Sequence, residues 1–197
     1  MKKKPIVMVH GLNDTGKKFK TMANYLEDQG YQTHVLTLPH SFGMVDLTVL
    51  AKQVKDYIDR TFADDELINL IGFSMGGVVT RYYLQRLNGL SKVHKYVNIS
   101  APNNGTVLGY LLPFKGIQQM RPDSDFLKDL NQDVKQQLSQ VPSLIIWTPV
   151  DTMIIPPKSS LIGVGQELLI PLQIHRSMVK DKTVLSEIYK FFNEDGK

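Results

Sequence analysis

Short uncharged apolar runs, each followed by a stretch with helical spacing, recur along this chain and narrow what it can fold into. The first, IVMV at residues 6–9, gives way at once to a glycine loop, HGLNDTG. Residues 17–29 then carry Phe19, Met22, Ala23 and Leu26 on one helical face, with Gly30 in the stop position. YQTHVLTLP reads as a second strand, and residues 45–62 return to helical period through Leu50, Val54, Tyr57 and Ile58. Residues 67–72 form a third strand, 76–87 a third helix, VHKYVNIS a fourth strand, VPSLIIWTPVD a fifth and residues 167–170 a sixth. Residues 182–192 close the chain as an amphipathic helix. This alternation predicts βαβ units, and so an α/β fold with a mostly parallel sheet of about six strands and helices on both faces. Near-continuous apolar strands fit a sheet covered on both sides. Residues 103–140 alone break the rhythm, with helical patches around Pro113 and Pro122 and no strand. They read as an insertion within a single domain spanning residues 1–197.

Composition removes several classes of function. Apolar residues make up 42% and charged residues 21% of the 197 positions, as in an ordinary globular domain. The formal charge is +4, but Lys2, Lys3, Lys4 and Lys197 sit at the two ends. No interior basic block with interleaved aromatics is present, so no nucleic-acid partner is expected. The absence of cysteine excludes disulfides, a thiol nucleophile and thiolate metal sites. No apolar run approaches the length of a membrane span. The opening MKKKPIVMVHG is too short in its apolar part for a signal peptide, so the expected location is cytoplasmic, or secreted if a leader is missing.

The stretch INLIGFSMGG places Ser74 between Gly72 and Gly76, after a strand and before a helix. That is the setting the Gly-x-Ser-x-Gly motif requires. The turn is so sharp that side chains two positions either side of the serine would strike the neighbouring strand and helix, and glycine removes them. The hydroxyl then stands beyond the carboxyl end of a parallel strand, where ligands bind in such sheets, beside a helix N-terminus that favours negative charge. The plain structural alternative is a glycine-rich turn for close packing.

A serine hydroxyl needs a base. Of the five histidines, His34 and His94 fall inside strands, His10 reads as a hydrogen-bonded loop-shaping residue, and His40 lies early, in LPHSFG. His175 follows the last strand and is the only one after Ser74 in a loop at a strand's carboxyl end, which makes it the candidate base. An imidazole base needs an orienting carboxylate. Asp151, just past the fifth strand, is the candidate; Asp123, Asp125 and Asp129 lie in the irregular segment in what reads as a solvated helix start. A tetrahedral intermediate needs two donors. The N–H of Met75 follows the nucleophile, and Gly11 lets the backbone approach so that Leu12 N–H serves as the second.

Taken together, VHGL, GFSMGG, SAPNNGT, QMRPDSDFLKDLN and WTPVDTMIIPPKSS resemble a bacterial serine lipase of the α/β-hydrolase superfamily. The resemblance covers most of the chain from Ile6 to about His175. It implies an α/β-hydrolase fold without a cap domain, Ser74, Asp151 and His175 as a triad, Leu12 and Met75 as oxyanion donors, and a carboxylic-ester, lipid-like substrate with no cofactor. Many relatives carry histidine where this chain has Phe73, a position that helps shape the pocket. No clustered Asp/Glu set suits the calcium site of some larger relatives, so no metal is expected.

The expected activity is ester hydrolysis by a lipase or esterase through an acyl-enzyme. Acyl transfer or thioester hydrolysis would use the same residues, and a non-catalytic binding module is the remaining alternative. The insertion carries an apolar patch, Leu108 and Tyr110 to Phe114, that reads either as a helix packed on the domain edge or as a rim meeting acyl chains or, transiently, a membrane surface. Too short for a separate cap, it predicts a shallow, open site.

Overall fold

A computed structural model describes residues 3–171 and 174–194; Lys2 and Lys197, counted above among the terminal charges, lie outside them. Six strands form one sheet in the order β2-β1-β3-β4-β5-β6: β1 (Ile6–Val9), β2 (Thr33–Leu36), β3 (Ile68–Phe73), β4 (Val93–Ile99), β5 (Ser143–Trp147) and β6 (Gln166–Leu169). Every neighbouring pair is parallel. Among the described residues the α-helices are α1 (Lys20–Asp28), α2 (Leu47–Thr61), α3 (Met75–Arg86), α4 (Lys115–Gln118), α5 (Asp125–Gln132), α6 (Val134–Leu138) and α7 (Lys182–Asn193). The sheet is therefore wholly parallel among the described residues, and the elements fall where the apolar runs and helical spacings put them.

The pleat sorts each strand's side chains onto two cores. Val7 and Val9 of β1 face a layer built from α2, α3 and the insertion helices, including Leu50, Val54, Val78, Val79 and Leu130. Ile6 and Met8 face the opposite layer with Met22 and Leu26 of α1 and Val184, Leu185 and Ile188 of α7. Both faces are covered, which is why the strands lack a polar period. Asp46 caps α2 by accepting from Thr48 N–H, and Gln119 at the end of α4 donates to the same carboxylate and accepts from Leu47 N–H. These bonds lower the Asp46 pKa against the upward push of its burial. The insertion is thus tied into the domain: Ile117, Met120, Leu127, Leu130 and Leu138 are buried, while Tyr110, Leu111, Leu112 and Phe114 stay exposed. It is an edge-packed segment and an apolar rim at once.

A buried cation joins the central helix to this insertion. Arg81 of α3 is 0% exposed. Its guanidinium donates to Gln85 Oε1, to the carbonyl and side-chain oxygens of Asn103, to Leu130 O and to Asn131 Oδ1. All of these acceptors are neutral, and desolvation brings its pKa down to about 10, still charged at neutral pH. Planar guanidinium geometry serves this divergent set where an ammonium would not. Arg81→Met keeps much of the volume but strands several buried acceptors, each costing roughly 1–3 kcal/mol. The expected loss is about 3 kcal/mol, or a melting temperature lower by roughly 6–12 °C, with Arg81→Lys only partly restoring it. A calorimetric melting point for Arg81→Met within about 2 °C of wild type would show that the network does not hold the insertion.

Candidate active site

Ser74 stands between β3 and α3 with φ 54° and ψ −128°, a strained conformation for a residue with a side chain. The packing around it explains its glycines. A Cβ on Gly76 would overlap the carbonyl oxygens of Val9 and His10, and one on Gly72 would overlap Thr80 and the Gly77 backbone. A Cβ on Gly11 would sit 2.9 Å from Ser74 Cβ, so the loop after β1 can approach the serine only as glycine. The turn is further fixed by Ser74 N–H donating to Ile99 O (2.9 Å) and Gly77 N–H to Ser74 O (2.9 Å).

The other candidate residues converge on the same end of the sheet. Asp151 follows β5 and His175 opens a 3-10 turn after β6; they are 6% and 5% exposed. His175 Nδ1 lies 2.7 Å from Asp151 Oδ2. The second carboxylate oxygen accepts from the N–H groups of Met153 (2.8 Å) and Ile154 (2.9 Å), which fixes the group's orientation. An ionised carboxylate can only accept, so Nδ1 carries the proton and Nε2 is left as the basic nitrogen. The ring of Phe73, adjacent in sequence to Ser74, packs on the His175 ring at a centroid distance of 4.9 Å. Phe73 is expected above to shape the pocket; instead it is buried behind His175 and does not line the pocket beside Ser74.

That pocket is narrow, ≈ 70 Å³, and Ser74, Leu12 and Met75 line it together with apolar side chains that include Leu108, Ile117, Met120 and Ile154. Met75 N–H opens α3, where the first N–H groups have no intrahelical acceptor. A larger cleft of ≈ 320 Å³ runs along β2 and α2 past Val35, Gln53, Tyr57 and Arg60, away from Ser74, Asp151 and His175. Among the described residues no group of three His, Asp or Glu stands where it could hold a metal ion, and no helix is long and apolar enough to cross a membrane.

The remaining histidines and aspartates take other places. His34 bonds Tyr57 Oη on edge strand β2, His94 lies within β4, and His40 is exposed with φ 62°. Tyr110 donates to Asp123, Asp125 pairs with Lys128, and Asp129 pairs with Arg86. His10 is fully buried: Nδ1–H donates to Gly11 O (2.9 Å) and Nε2 accepts from Leu38 N–H (3.0 Å), which locks the glycine loop to the segment after β2.

A set of residues without an expected role holds Asp151 in place. The NNGT stretch after β4 is stitched to the loop that carries the aspartate. Asn103 Nδ2 donates to Ser160 O and Asn104 N–H to Ser159 O. Ser159 Oγ donates to Gly105 O, Thr106 Oγ1 to Met153 O, and Val107 N–H to Ile155 O. Asn103 also accepts from Arg81, so α3, the insertion and the aspartate loop form one hydrogen-bonded unit. Its traces in the sequence are Asn98 inside an apolar strand and Arg81 inside an apolar helix, polar residues that burial obliges to find partners.

The wholly parallel sheet with covered faces, the strained serine after β3 and the aspartate and histidine after the last two strands define an α/β-hydrolase. Solved structures with the same fold include Bacillus licheniformis lipase BlEst2 in mature form, with TM-score 0.79 and 15% identity over 97% of this chain and 92% of that one. Aspergillus fumigatus lipase B superposes with TM-score 0.80 and 17% identity over 98% of this chain and 53% of that one. Residues 5–115 match the profile of the palmitoyl protein thioesterase family, and the chain belongs to that family. Palmitoyl-protein thioesterase 3 of Dictyostelium discoideum is 26% identical over 144 residues, 64% of this chain and 50% of that protein. The lysosomal thioesterase PPT2 of Mus musculus is 28% identical over 106 residues, 52% of this chain and 35% of that protein. The chain spans half or less of the length of these curated relatives.

Burial lowers the pKa of His10 below its ordinary value, so the folded state keeps it neutral. In the unfolded chain it takes a proton near pH 6.5. The stability it confers is therefore present in full above that value and lost as pH falls through it towards the folded pKa. His34 and His94 are lowered in the same way and add to the same slope. Urea midpoints should decline from pH 7.5 to pH 5, and less steeply in His10→Asn; an unchanged slope in that variant would remove His10 from this account.

Proposed function

We propose that this chain is a serine hydrolase that cleaves fatty-acyl esters through an acyl-enzyme on Ser74. The observation that carries the reading is the convergence of a strained, partly exposed serine with a buried His175–Asp151 pair at one end of the sheet. In this reading Ser74 Oγ attacks the carbonyl carbon while His175 Nε2 takes its proton. Asp151 holds the ring in the tautomer that leaves Nε2 free and stabilises the imidazolium. Negative charge on the carbonyl oxygen meets the N–H groups of Met75 and Leu12, backbone donors that need no reorganisation. The leaving group departs with a proton from His175, and water repeats the sequence to release the acid.

Both oxyesters and thioesters suit this machinery. Family membership and the thioesterases among the relatives favour the thioester, whose thiol, with a pKa of about 8.5, leaves with less help from an acid than an alcohol does. The apolar pocket accommodates a short acyl segment and opens to solvent, so soluble short esters should react without a lipid interface.

Ser74→Ala should lose labelling by a fluorophosphonate and drop kcat/KM by about 10³-fold or more on p-nitrophenyl butyrate and on an acyl-coenzyme A thioester. Asp151→Asn should keep its fold and lose up to about 10⁴-fold. His175→Ala should match Ser74→Ala and abolish the rise of rate with pH, while His40→Ala and His94→Ala keep it. Turnover in Ser74→Ala within tenfold of wild type would refute the nucleophile, and a preserved pH limb in His175→Ala would refute the base. The ratio of thioester to oxyester turnover in wild type decides between the two substrate classes.

A further inference from the structure

Most of the large apolar side chains left in solvent, apart from Val49, Leu67 and Leu169, gather in the segments that follow the strands. Phe42 (61%) and Met44 (63%) follow β2, Leu111 (72%) and Phe114 follow β4, Met153 follows β5 and Ile174 (62%) follows β6. In a parallel sheet the segments that follow the strands emerge at one end, so these residues, from four separate connections, lie at the end of the sheet where Ser74 stands, and Met153 lines its pocket. Hydrogen bonds link these connections to one another: Gly116 N–H donates to Gly43 O, Val107 N–H to Ile155 O, and the Asp151–His175 pair joins the last two. Isolated exposed apolar residues are ordinary, but a contiguous belt marks a surface that meets something apolar.

The charges at the same end of the sheet, the connection after β1 included, indicate what it meets. Lys17, Lys115 and Lys158 are exposed and form no ion pair among the described residues. The carboxylates there are occupied: Asp14 lies between Lys18 and Arg176, Asp46 caps α2, Asp123 accepts from Tyr110, and Asp151 is buried on His175. The belt is therefore apolar at its crest and cationic between, a pattern that fits an anionic lipid surface, where apolar side chains enter the interface and lysines meet the headgroups. We propose that this end of the molecule docks on anionic phospholipid bilayers, with the mouth of the Ser74 pocket facing the membrane. A second copy of the chain would be met by the same cations and repelled.

The docking surface is independent of the chemistry at Ser74, so the test uses Ser74→Ala protein, which separates failure of docking from failure of the hydrolase reading. Phosphatidylcholine vesicles containing phosphatidylserine should carry the protein down on sedimentation, and phosphatidylcholine alone should carry much less. Adding Leu111→Ser and Leu112→Ser together should lower the partition coefficient about tenfold or more. Lys115→Gln with Lys158→Gln should lower it about tenfold and flatten its dependence on salt. On the Ser74 background of wild type, the leucine pair should leave turnover of a water-soluble butyrate ester unchanged. Absence of partitioning into phosphatidylserine vesicles, or equal partitioning of the leucine variant, overturns the proposal. So does a dimer in sedimentation velocity that Leu111→Ser with Leu112→Ser converts to monomer, since that assigns the belt to a second copy.

Discussion

The close approach of α3 to the carboxyl ends of β1 and β3 is the constraint on which the rest of this structure depends. Only Ser74 separates the end of the strand from the start of the helix, and Gly76 lies against the carbonyls of Val9 and His10 with no room for a Cβ. Closeness of this kind forces Ser74 into positive φ, and it persists because strand hydrogen bonds and a largely buried helix hold both sides. Two consequences follow from one contact. The serine is projected above the sheet, and the first N–H groups of α3 are turned towards the space in front of it.

The second support is polar and lies in the interior. Arg81, Asn98, Asn103 and Thr106 are buried, and burial makes every unpaired donor or acceptor costly. The network they form is correspondingly dense: Asn103 accepts from Arg81 and donates to Asn98 and Ser160, while Thr106 connects to Met153 and Ile155. It ties the loop holding Asp151 to the helix that follows Ser74. Two pieces of the candidate site that are far apart in the chain are therefore joined by one hydrogen-bonded network.

Around this rigid interior the insertion divides its labour. Its inward side fills the core with Ile117, Met120, Leu127 and Leu130, and its outward side leaves Tyr110 to Phe114 in solvent. The exposed Leu111 and Leu112 stand outside the lining of the Ser74 pocket, to which the insertion contributes Leu108, Gly109, Ile117 and Met120. Membership of the palmitoyl protein thioesterase family and the fold shared with solved lipase structures agree on the α/β-hydrolase architecture.

Much of the fold and the candidate site was legible in the sequence because the signals are local. Apolar runs too short for helices and the glycines flanking Ser74 each reflect a requirement met within a few residues, the chain order of Ser74, Asp151 and His175 adds a pattern across the whole length, and the strands, the turn and the histidine–aspartate pair lie where those signals put them. His10 as a loop-shaping residue was likewise legible, since it adjoins the loop it fixes. The sequence could not assign the work of Asn103, Thr106 and Arg81, whose partners lie tens of residues away, nor turn Phe73 from the pocket to the back of His175. Nor could it gather Phe42, Leu111, Met153 and Ile174 into one belt. Periodicity reports which side of an element is buried, but which distant loops share one end of the sheet, and which buried polar groups find each other there, is decided only when strand order and packing bring them together.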